Sequence, residues 1–118
     1  MTAPHRLFTT EDHEDSLRIC LQVPGIRGPE SISQLDRELT QRLSLQTGRS
    51  VVLDFSDLVS VTSDFLAKLI GWQRQIVGAG GNLRLAGLNS DLRELFEITR
   101  LSKRFEIISD DRARHTNS

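Results

Sequence analysis

The sequence predicts an α/β fold in which a mostly parallel β-sheet carries an N-terminal antiparallel hairpin and about three to four helices. Short runs rich in apolar and β-branched residues alternate along the chain with segments of helical periodicity. Val51–Phe55 is a mostly apolar run, as expected for a strand that is buried on both faces of a parallel sheet. Alternating strands and helices in one chain imply right-handed crossovers between parallel strands.

The first part of the chain predicts the hairpin. Leu7–Thr10 is a candidate edge strand, and Leu17–Val23 alternates apolar with mostly polar residues, which is typical of a strand with one covered face. The acidic segment Glu11–Asp15 is expected to form the turn between them. Pro24–Pro29 is rich in residues that break regular structure, so it predicts a loop.

A first helix is expected to begin at Ser31, with Gln34 completing a capping box. Gly48 is a suitable residue to follow its C-terminus. The buried stripe of this helix is predicted to consist of Ile32, Leu35, Leu39 and Leu43.

A second helix is predicted from Ser63 to about Gly78, where a glycine pair, Gly80 and Gly81, ends it. Trp72 is interpreted as a partly buried residue at the edge of the core, in preference to an exposed anchor for a partner. The apolar stripe of this helix is predicted to consist of Phe65, Leu66, Leu69, Ile70, Ile76 and Val77.

The remaining elements are a strand over Asn82–Leu88, a short helix capped by Asn89 or Ser90, and a last strand over Arg104–Ile108. We expect one domain over residues 7–109, with disordered termini at 1–6 and 110–118.

Composition excludes several classes of function. The formal net charge of −1 gives no basic field for nucleic acid. Cys20 is the only cysteine, so no internal disulfide can form, and we expect a cytoplasmic protein. The sequence contains neither a secretory leader nor a segment with the apolar length of a membrane span, so no membrane insertion is expected.

No catalytic or metal-binding pattern is found in the sequence. The three histidines, His5, His13 and His115, lie in the termini or in a predicted turn, away from any nucleophile motif. Ligand residues at metal-site spacing are absent, and we expect no cofactor. The glycines at 78–81 follow a helix and precede a strand, the reverse of the order in a phosphate-binding loop.

Four segments form a recognisable pattern by their order and spacing. They are Leu53-Asp54-Phe55, Thr62-Ser63-Asp64-Phe65-Leu66, Gly80-Gly81-Asn82-Leu83-Arg84-Leu85, and Leu95-Phe96-Glu97-Ile98-Thr99-Arg100-Leu101 followed by Phe105. Together they resemble the STAS domain, the family of anti-sigma-factor antagonists and sulfate-transporter tails. The resemblance covers roughly residues 7–109 and implies a STAS-type fold.

This resemblance implies a non-enzymatic, bacterial regulatory module that acts in signal transduction and transcription regulation through protein–protein interaction. Its expected partner is an anti-sigma factor or GHKL-type serine kinase, and a homodimer is a further expectation. Such a partner would dock where a buried strand passes through a loop into a helix N-terminus. The residues expected to contact it are Gly25, Thr62, Ser63, Asp64, Phe65, Ala67 and Lys68.

Asp64 stands where phosphorylated members of the family carry the acceptor serine, and two interpretations of it stay open. It either supplies a fixed negative charge in place of phosphate, or it is an ordinary helix-start aspartate that is favoured by the helix dipole. Ser63 and Thr62 are alternative phosphoacceptors, although Ser63 equally suits a plain N-cap.

Two other positions depart from the family pattern. The loop Gly25-Ile26-Arg27-Gly28 lacks the usual aspartate, and Arg100 replaces a glycine. If position 100 requires a left-handed backbone, arginine there costs roughly 1–2 kcal/mol.

Two alternatives to the anti-sigma-factor antagonist are considered. The first is a STAS subunit of an ABC-type lipid transporter that binds the transporter ATPase. Such a subunit is not phosphorylated, which agrees with the absence of the usual phosphoacceptor serine. The second is a small enzyme or nucleotide-binding protein, for which the sequence offers no convergent polar residues.

Overall fold

The computed structural model describes residues 7–22, 28–45 and 47–108. Five strands form one sheet in the order β1-β2-β3-β4-β5. Their bounds are β1 Phe8–Asp12, β2 Ser16–Leu21, β3 Ser50–Asp54, β4 Asn82–Ala86 and β5 Glu106–Ile107. The pair β1 and β2 is antiparallel, and every other neighbouring pair is parallel. The predicted α/β class with an N-terminal hairpin is therefore confirmed.

Three α-helices connect the parallel strands: α1 Gly28–Leu43, α2 Ser63–Gly78 and α3 Ser90–Ile98, with a 3-10 turn at Leu101–Lys103 before β5. Each crossover leads to the next strand along the sheet. Right-handed crossovers that advance in one direction place all their helices on the same face. Buried residues of all three helices accordingly share one apolar core with strand residues that include Leu17, Ile19, Val51, Leu53, Leu83 and Leu85.

The opposite face of the sheet carries none of the three helices, and we call it the open face. Strand pairing aligns one residue from each strand in a row across it. From β1 to β5 this row reads Glu11, Arg18, Val52, Arg84 and Glu106. The next row contains Thr9, Cys20, Asp54 and Ala86.

The predicted start of α1 is wrong. The helix begins at Gly28 instead of Ser31, with Pro29 in its first turn, where the fixed φ of proline suits a helix and its missing N–H is not needed. Gln34 does not complete a capping box, because its amide donates to Glu38 at 2.8 Å. The helix ends at Leu43, before Gly48, which has a positive φ of 72°.

The predicted acidic turn is also shorter than expected, because β1 continues through Glu11 and Asp12. The Asp12 carboxylate accepts hydrogen bonds from Arg49 at 2.9 Å and Arg42 at 3.3 Å, which compensates for an acidic residue in an edge strand. The hairpin closes where His13 N–H donates to Ser16 O at 2.9 Å.

Two side chains of α2 lie elsewhere than predicted. Trp72 is only 2% exposed and belongs to the core, so it is neither a core-edge residue nor an exposed anchor for a partner. Its indole N–H donates to Asp36 Oδ1 at 2.8 Å. Val77, assigned to the buried stripe, is 56% exposed.

The later elements follow the prediction with shorter strands. β4 ends at Ala86 instead of Leu88, and β5 covers only Glu106–Ile107. Asn89 is the N-cap of α3, as expected, and accepts from Leu92 N–H at 2.8 Å. Arg100 adopts the left-handed conformation considered above, with φ 65° and ψ 15°. The expected disorder of residues 1–6 and 110–118 concerns segments outside the described residues.

Candidate functional site

Thr62, Ser63 and Asp64 lie together and exposed where the loop after β3 leads into α2, and we call them the rim. Thr62 is the N-cap, with an extended backbone of φ −102° and ψ 168°. Its hydroxyl oxygen accepts from Phe65 N–H at 3.2 Å, and its carbonyl accepts from Leu66 N–H at 3.1 Å. The side chain of Thr62 thus satisfies one of the N–H groups that the first turn of a helix leaves unpaired.

Ser63 and Asp64 occupy the first turn of α2, so the sequence-based alternative of Ser63 as the N-cap is wrong. Both side chains are exposed. The positive end of the helix dipole favours a negative charge here, by about 0.3–1 kcal/mol for an exposed group. The rim therefore presents a carboxylate beside a hydroxyl that is not used for capping.

The exposed side of α2 continues the rim, while Phe65 turns inward. Ala67 is exposed, and Lys68 Nζ lies 3.5 Å from Asp36 Oδ2 of α1 in a partly exposed ion pair. Phe65 is 1% exposed, so its ring anchors the helix to the core and does not form part of the surface that a partner would touch. Gly25, the remaining predicted contact residue, lies outside the described residues.

A buried carboxylate fixes the loop that leads to the rim. Asp54, at the end of β3, is 4% exposed. Its Oδ1 accepts from the Ser56 backbone N–H at 2.8 Å and from the Ser56 hydroxyl at 2.5 Å. Its Oδ2 accepts from Arg18 of β2, at 2.8 Å from Nη2 and 3.2 Å from Nε. Asp54 thereby joins two neighbouring strands to the first residues of the loop.

The ionised form of Asp54 is favoured by these contacts. Burial alone raises the pKa of the Asp54 carboxyl, but hydrogen bonds from Ser56, followed by the hydrogen bond and positive charge of Arg18, outweigh burial. The pKa therefore lies below its ordinary value of 3.8, and the carboxylate is charged at neutral pH.

The loop is held at a second point by Asn89. While Asn89 Oδ1 caps α3, its Nδ2 donates to Val59 O at 3.3 Å and to Leu58 O at 3.4 Å. Gly87, with φ 74°, allows the β4–α3 turn to approach the loop: a Cβ there would lie 2.6 Å from Asp54 Oδ1. The segment before the rim is thus fixed by side chains at both of its sides, which favours a preorganised surface.

Within residues 7–22, 28–45 and 47–108, no cluster of three or more histidine, cysteine, aspartate or glutamate side chains could hold a metal ion. Among the helices in those ranges, none is long and apolar enough to cross a membrane.

Comparison with protein families matches residues 11–109 to the family described as "Mlab, STAS domain". This match covers most of the chain and includes strands β2 to β5, all three helices and the last two residues of β1. The chain belongs to the STAS family. The resemblance inferred from four short segments is therefore confirmed.

Solved STAS structures have the same fold. A STAS-domain anti-sigma-factor antagonist from Planctomyces limnophilus superposes with a TM-score of 0.78 at 14% identity, covering 94% of this chain and 98% of that one. A candidate anti-sigma factor antagonist from Thermotoga maritima gives 0.73 at 19% identity, covering 87% and 86%. The Bacillus cell-fate determinant SpoIIAA in its phosphorylated form gives 0.62 at 15% identity, covering 94% and 99%.

Sequence reasoning located the rim of this STAS domain but did not assign roles to Arg18, Ser56 or Gly87. A local signal existed for Ser56, because an aspartate followed two residues later by serine often forms a side-chain-to-backbone turn. Arg18 is 36 residues from Asp54 in the chain, and only the strand pairing brings them together.

Proposed function

We propose that this STAS domain is a non-enzymatic regulatory module, like the anti-sigma-factor antagonists, and that a protein partner docks on the rim and the adjacent exposed side of α2. The observation that carries the proposal is the pairing of an exposed hydroxyl with an exposed carboxylate at the N-terminus of α2, in front of a loop fixed by Asp54 and Asn89. The contact surface consists of Thr62, Ser63, Asp64, Ala67 and Lys68. An anti-sigma factor or GHKL-type serine kinase is the favoured partner.

Asp64 supplies a constant negative charge at the position where relatives acquire phosphate. A carboxylate carries one charge, whereas phosphoserine carries nearly two and has three acceptor oxygens. The imitation is therefore partial, and Asp64 sets a fixed level of partner binding in place of a phosphorylation-dependent switch at this position.

Of the two hydroxyl residues at the rim, Ser63 is the preferred phosphoacceptor and Thr62 is the less favourable one. The Thr62 hydroxyl caps α2, so a phosphate on it would have to replace that hydrogen bond. The Ser63 hydroxyl is exposed in the first turn, where phosphate is favoured by the helix dipole although Asp64 opposes it.

Phosphorylation is tested by incubating the chain with the cognate kinase and ATP, followed by intact-mass spectrometry and site mapping. Ser63→Ala and Thr62→Ser are assayed in parallel, since the second keeps the capping oxygen. A phosphate that is lost only in Ser63→Ala assigns the acceptor. Absence of phosphate from both hydroxyls would leave Asp64 as the only charged signal at the rim.

Docking is tested by titrating the same kinase with wild type, Ala67→Arg and Glu97→Arg. Positions 67 and 97 are both exposed on helices, but only Ala67 belongs to the proposed surface. We expect Ala67→Arg to weaken binding at least about tenfold, which is 1.4 kcal/mol, and Glu97→Arg to have little effect. Equal affinities for all three proteins would rule out this docking surface.

The second candidate function is that of a STAS subunit bound to the ATPase of an ABC-type lipid transporter. Asp64 favours it, because a carboxylate at this position removes the usual phosphoacceptor. The description of the matching family also names Mlab and no anti-sigma factor. Purification with crosslinking from the source cells separates the two candidates: a transporter ATPase supports this function, whereas a serine kinase supports the first. Neighbouring genes give the same distinction.

A further inference from the structure

We propose that two copies of this domain associate through the end of the sheet that lies opposite the rim. We call this end the base: β2, β3 and β4 begin there, and α1 and α2 end there. The base is acidic at one edge, basic at the other edge and apolar between them. A surface of this kind is complementary to itself once a second copy is turned by 180°.

The base follows the first row of residues in the sheet. Strand pairing aligns this row, and the pairing of Arg84 with Glu106, continued back by two residues, places Arg104 at its β5 end. The row spans four strand spacings, about 19 Å, with β3 at its centre. From β1 to β5 it consists of His13, Ser16, Ser50, Asn82 and Arg104.

The β1 edge of the base carries negative charge. Glu14 and Asp15, which we call the acidic tip, lie in the turn between β1 and β2, and both are exposed. Arg42 and Arg49 are hydrogen-bonded to the neighbouring Asp12 carboxylate, at 3.3 Å and 2.9 Å. Three carboxylates thus stand against two guanidinium groups, and the excess charge, on the exposed tip, is negative.

The β5 edge carries positive charge. Arg100 and Lys103, which we call the basic turn, are exposed in the connection between α3 and β5. Arg104 is exposed too, and its Nε donates to a neutral partner, Gln73 Oε1, at 3.1 Å. The exposed Glu97, one helical turn before Arg100, offsets one of these three cations, so the excess charge at this edge is positive.

Two large apolar side chains are exposed near the centre of the base. Leu45, which follows α1, is 72% exposed, and Val77, in the last turn of α2, is 56% exposed. Gly48 N–H donates to Ala79 O at 2.9 Å, so the chain segments that follow the two helices are in contact. An apolar centre with charged edges is the usual composition of a protein–protein interface.

Two rotations bring two bases face to face, and charge distinguishes between them. A twofold axis along the row would place each acidic tip on the acidic tip of the second copy, which like-charge repulsion opposes. A twofold axis that crosses the row at β3 exchanges the two edges. Each acidic tip then meets the basic turn of the second copy, and both edge contacts are attractive.

The same rotation completes an apolar centre. Because α1 connects β2 to β3 and α2 connects β3 to β4, the ends of the two helices lie on either side of β3. The rotation exchanges them and places Leu45 of one copy against Val77 of the second copy. Both copies use the same surface, so the contact is closed and gives a dimer. The two rims point in opposite directions, and the dimer therefore presents the proposed docking surface twice.

The area of the base determines the strength of this dimer. The row is about 19 Å long and the two layers are about 20 Å deep, so each copy contributes roughly 400 Å², half of the ~800 Å² in a standard interface. Interfaces of this size are weak and transient. We expect a dissociation constant between about 10 µM and 1 mM, which sedimentation equilibrium measures.

Charge reversal at the two edges provides the decisive test. One variant carries Glu14→Lys and Asp15→Lys, and the other carries Arg100→Glu and Lys103→Glu. Each variant alone should dimerise at least about tenfold more weakly than the wild type, because both of its edge contacts become repulsive. An equimolar mixture should form a heterodimer of near wild-type affinity, since every altered edge then meets an edge of opposite charge. A chain with all four substitutions should dimerise like the wild type.

The apolar centre is tested by Leu45→Asp, which should also weaken the dimer at least about tenfold. Val59→Asp is the matched control, because Val59 is 71% exposed but lies in the loop before the rim, and it should leave the dissociation constant unchanged. Circular dichroism establishes that each variant is folded, and high salt should weaken the wild-type dimer. A wild type that stays monomeric up to about 1 mM, assemblies larger than a dimer, or no heterodimer in the mixture would overturn the proposal.

Discussion

Asp54 is the residue on which the loop before the rim depends most strongly. Asp54→Asn keeps the size of the side chain but leaves Arg18, only 13% exposed, facing a neutral amide. We expect this variant to lose roughly 3 kcal/mol of unfolding free energy at pH 7, because a neutral amide cannot replace the carboxylate that accepts two hydrogen bonds from the nearly buried Arg18 guanidinium. Urea unfolding measures the loss. Asp57→Asn, an exposed carboxylate in the same loop, is the matched control and should stay within about 0.5 kcal/mol.

The contribution of Asp54 to the unfolding free energy should also depend on pH. Its pKa is lowered in the folded protein, so the stabilisation is complete above the ordinary pKa of 3.8 that the unfolded chain has and is lost as the pH falls through the folded-state pKa. The stability difference between wild type and Asp54→Asn should therefore be constant from pH 7 to about pH 5 and narrow below about pH 4. A difference that persists unchanged at the lowest pH at which both proteins fold would contradict this assignment.

Arg100 carries identifiable backbone strain. Its φ of 65° is the only positive value among the described residues that are not glycine. Arg100→Gly is expected to stabilise the fold by about 1 kcal/mol, since glycine adopts this conformation without a Cβ clash, although part of the gain is offset by a more flexible unfolded chain. Arg100→Ala keeps the Cβ and should give no such gain. Thermal unfolding of both variants tests the prediction, and equal shifts would show that the side chain, not the backbone, matters.

Within the secondary-structure elements, alanine substitutions at two glycines should change the unfolding free energy in opposite directions. Gly71 is exposed within α2, and a Cβ there meets no atom within 4 Å. Gly71→Ala should stabilise the domain by about 0.5–1 kcal/mol, because alanine favours the helix. Gly87→Ala should destabilise it by more than about 1–2 kcal/mol, because the left-handed backbone and contact with Asp54 both oppose a Cβ. Urea unfolding measures the change in unfolding free energy for both variants. Changes of the same sign would show that the local backbone geometry of each glycine does not determine the effect.

The helices show why some elements could be predicted and others could not. α2 has the predicted bounds of Ser63 and Gly78, because hydroxyl residues precede a periodic apolar stripe and glycines follow it. For α1 two start signals compete, and the proline at position 29 extends the helix past the capping pattern at Ser31. Strand ends were less predictable, since the acidic end of β1 is stabilised by arginines distant in sequence.

In the candidate site, too, features encoded by neighbouring residues could be predicted, whereas those that depend on distant residues could not. The rim could be predicted because a helix N-terminus is encoded within a few consecutive residues. The contacts that fix its loop depend on the sheet register, which pairs Cys20 with Asp54 and brings Arg18 within reach of the carboxylate. Burial of Trp72 could not be predicted either, because Asp36 of another helix accepts its indole hydrogen.

For the whole molecule, a chain of aromatic rings connects the rim to the rest of the core. Phe65 of α2 contacts Trp72 at 5.6 Å and Phe55 at 5.9 Å between ring centroids. Phe55 in turn contacts Phe96 of α3 at 6.4 Å, and Phe96 contacts Phe105 at 6.1 Å. Every contact is edge-to-face, the favourable arrangement for aromatic pairs. Phe55 is therefore the link between the two helices that flank the loop.

These ring contacts couple the stability of α2 to that of α3, and a double-mutant cycle measures the coupling energy. Phe55→Leu is expected to lower the unfolding free energy by about 2 kcal/mol, because its ring is fully buried. Combined with Phe96→Leu, it should show a coupling of about 0.5–1.5 kcal/mol, as expected for rings in direct contact. With Phe105→Leu, whose ring is paired with Phe96 instead of Phe55, the two losses should add within about 0.5 kcal/mol. Urea unfolding followed by the fluorescence of Trp72, the only tryptophan, gives all three values. Coupling of equal size in both pairs would mean that the core relaxes as a whole and that ring contacts do not transmit stability from α2 to α3.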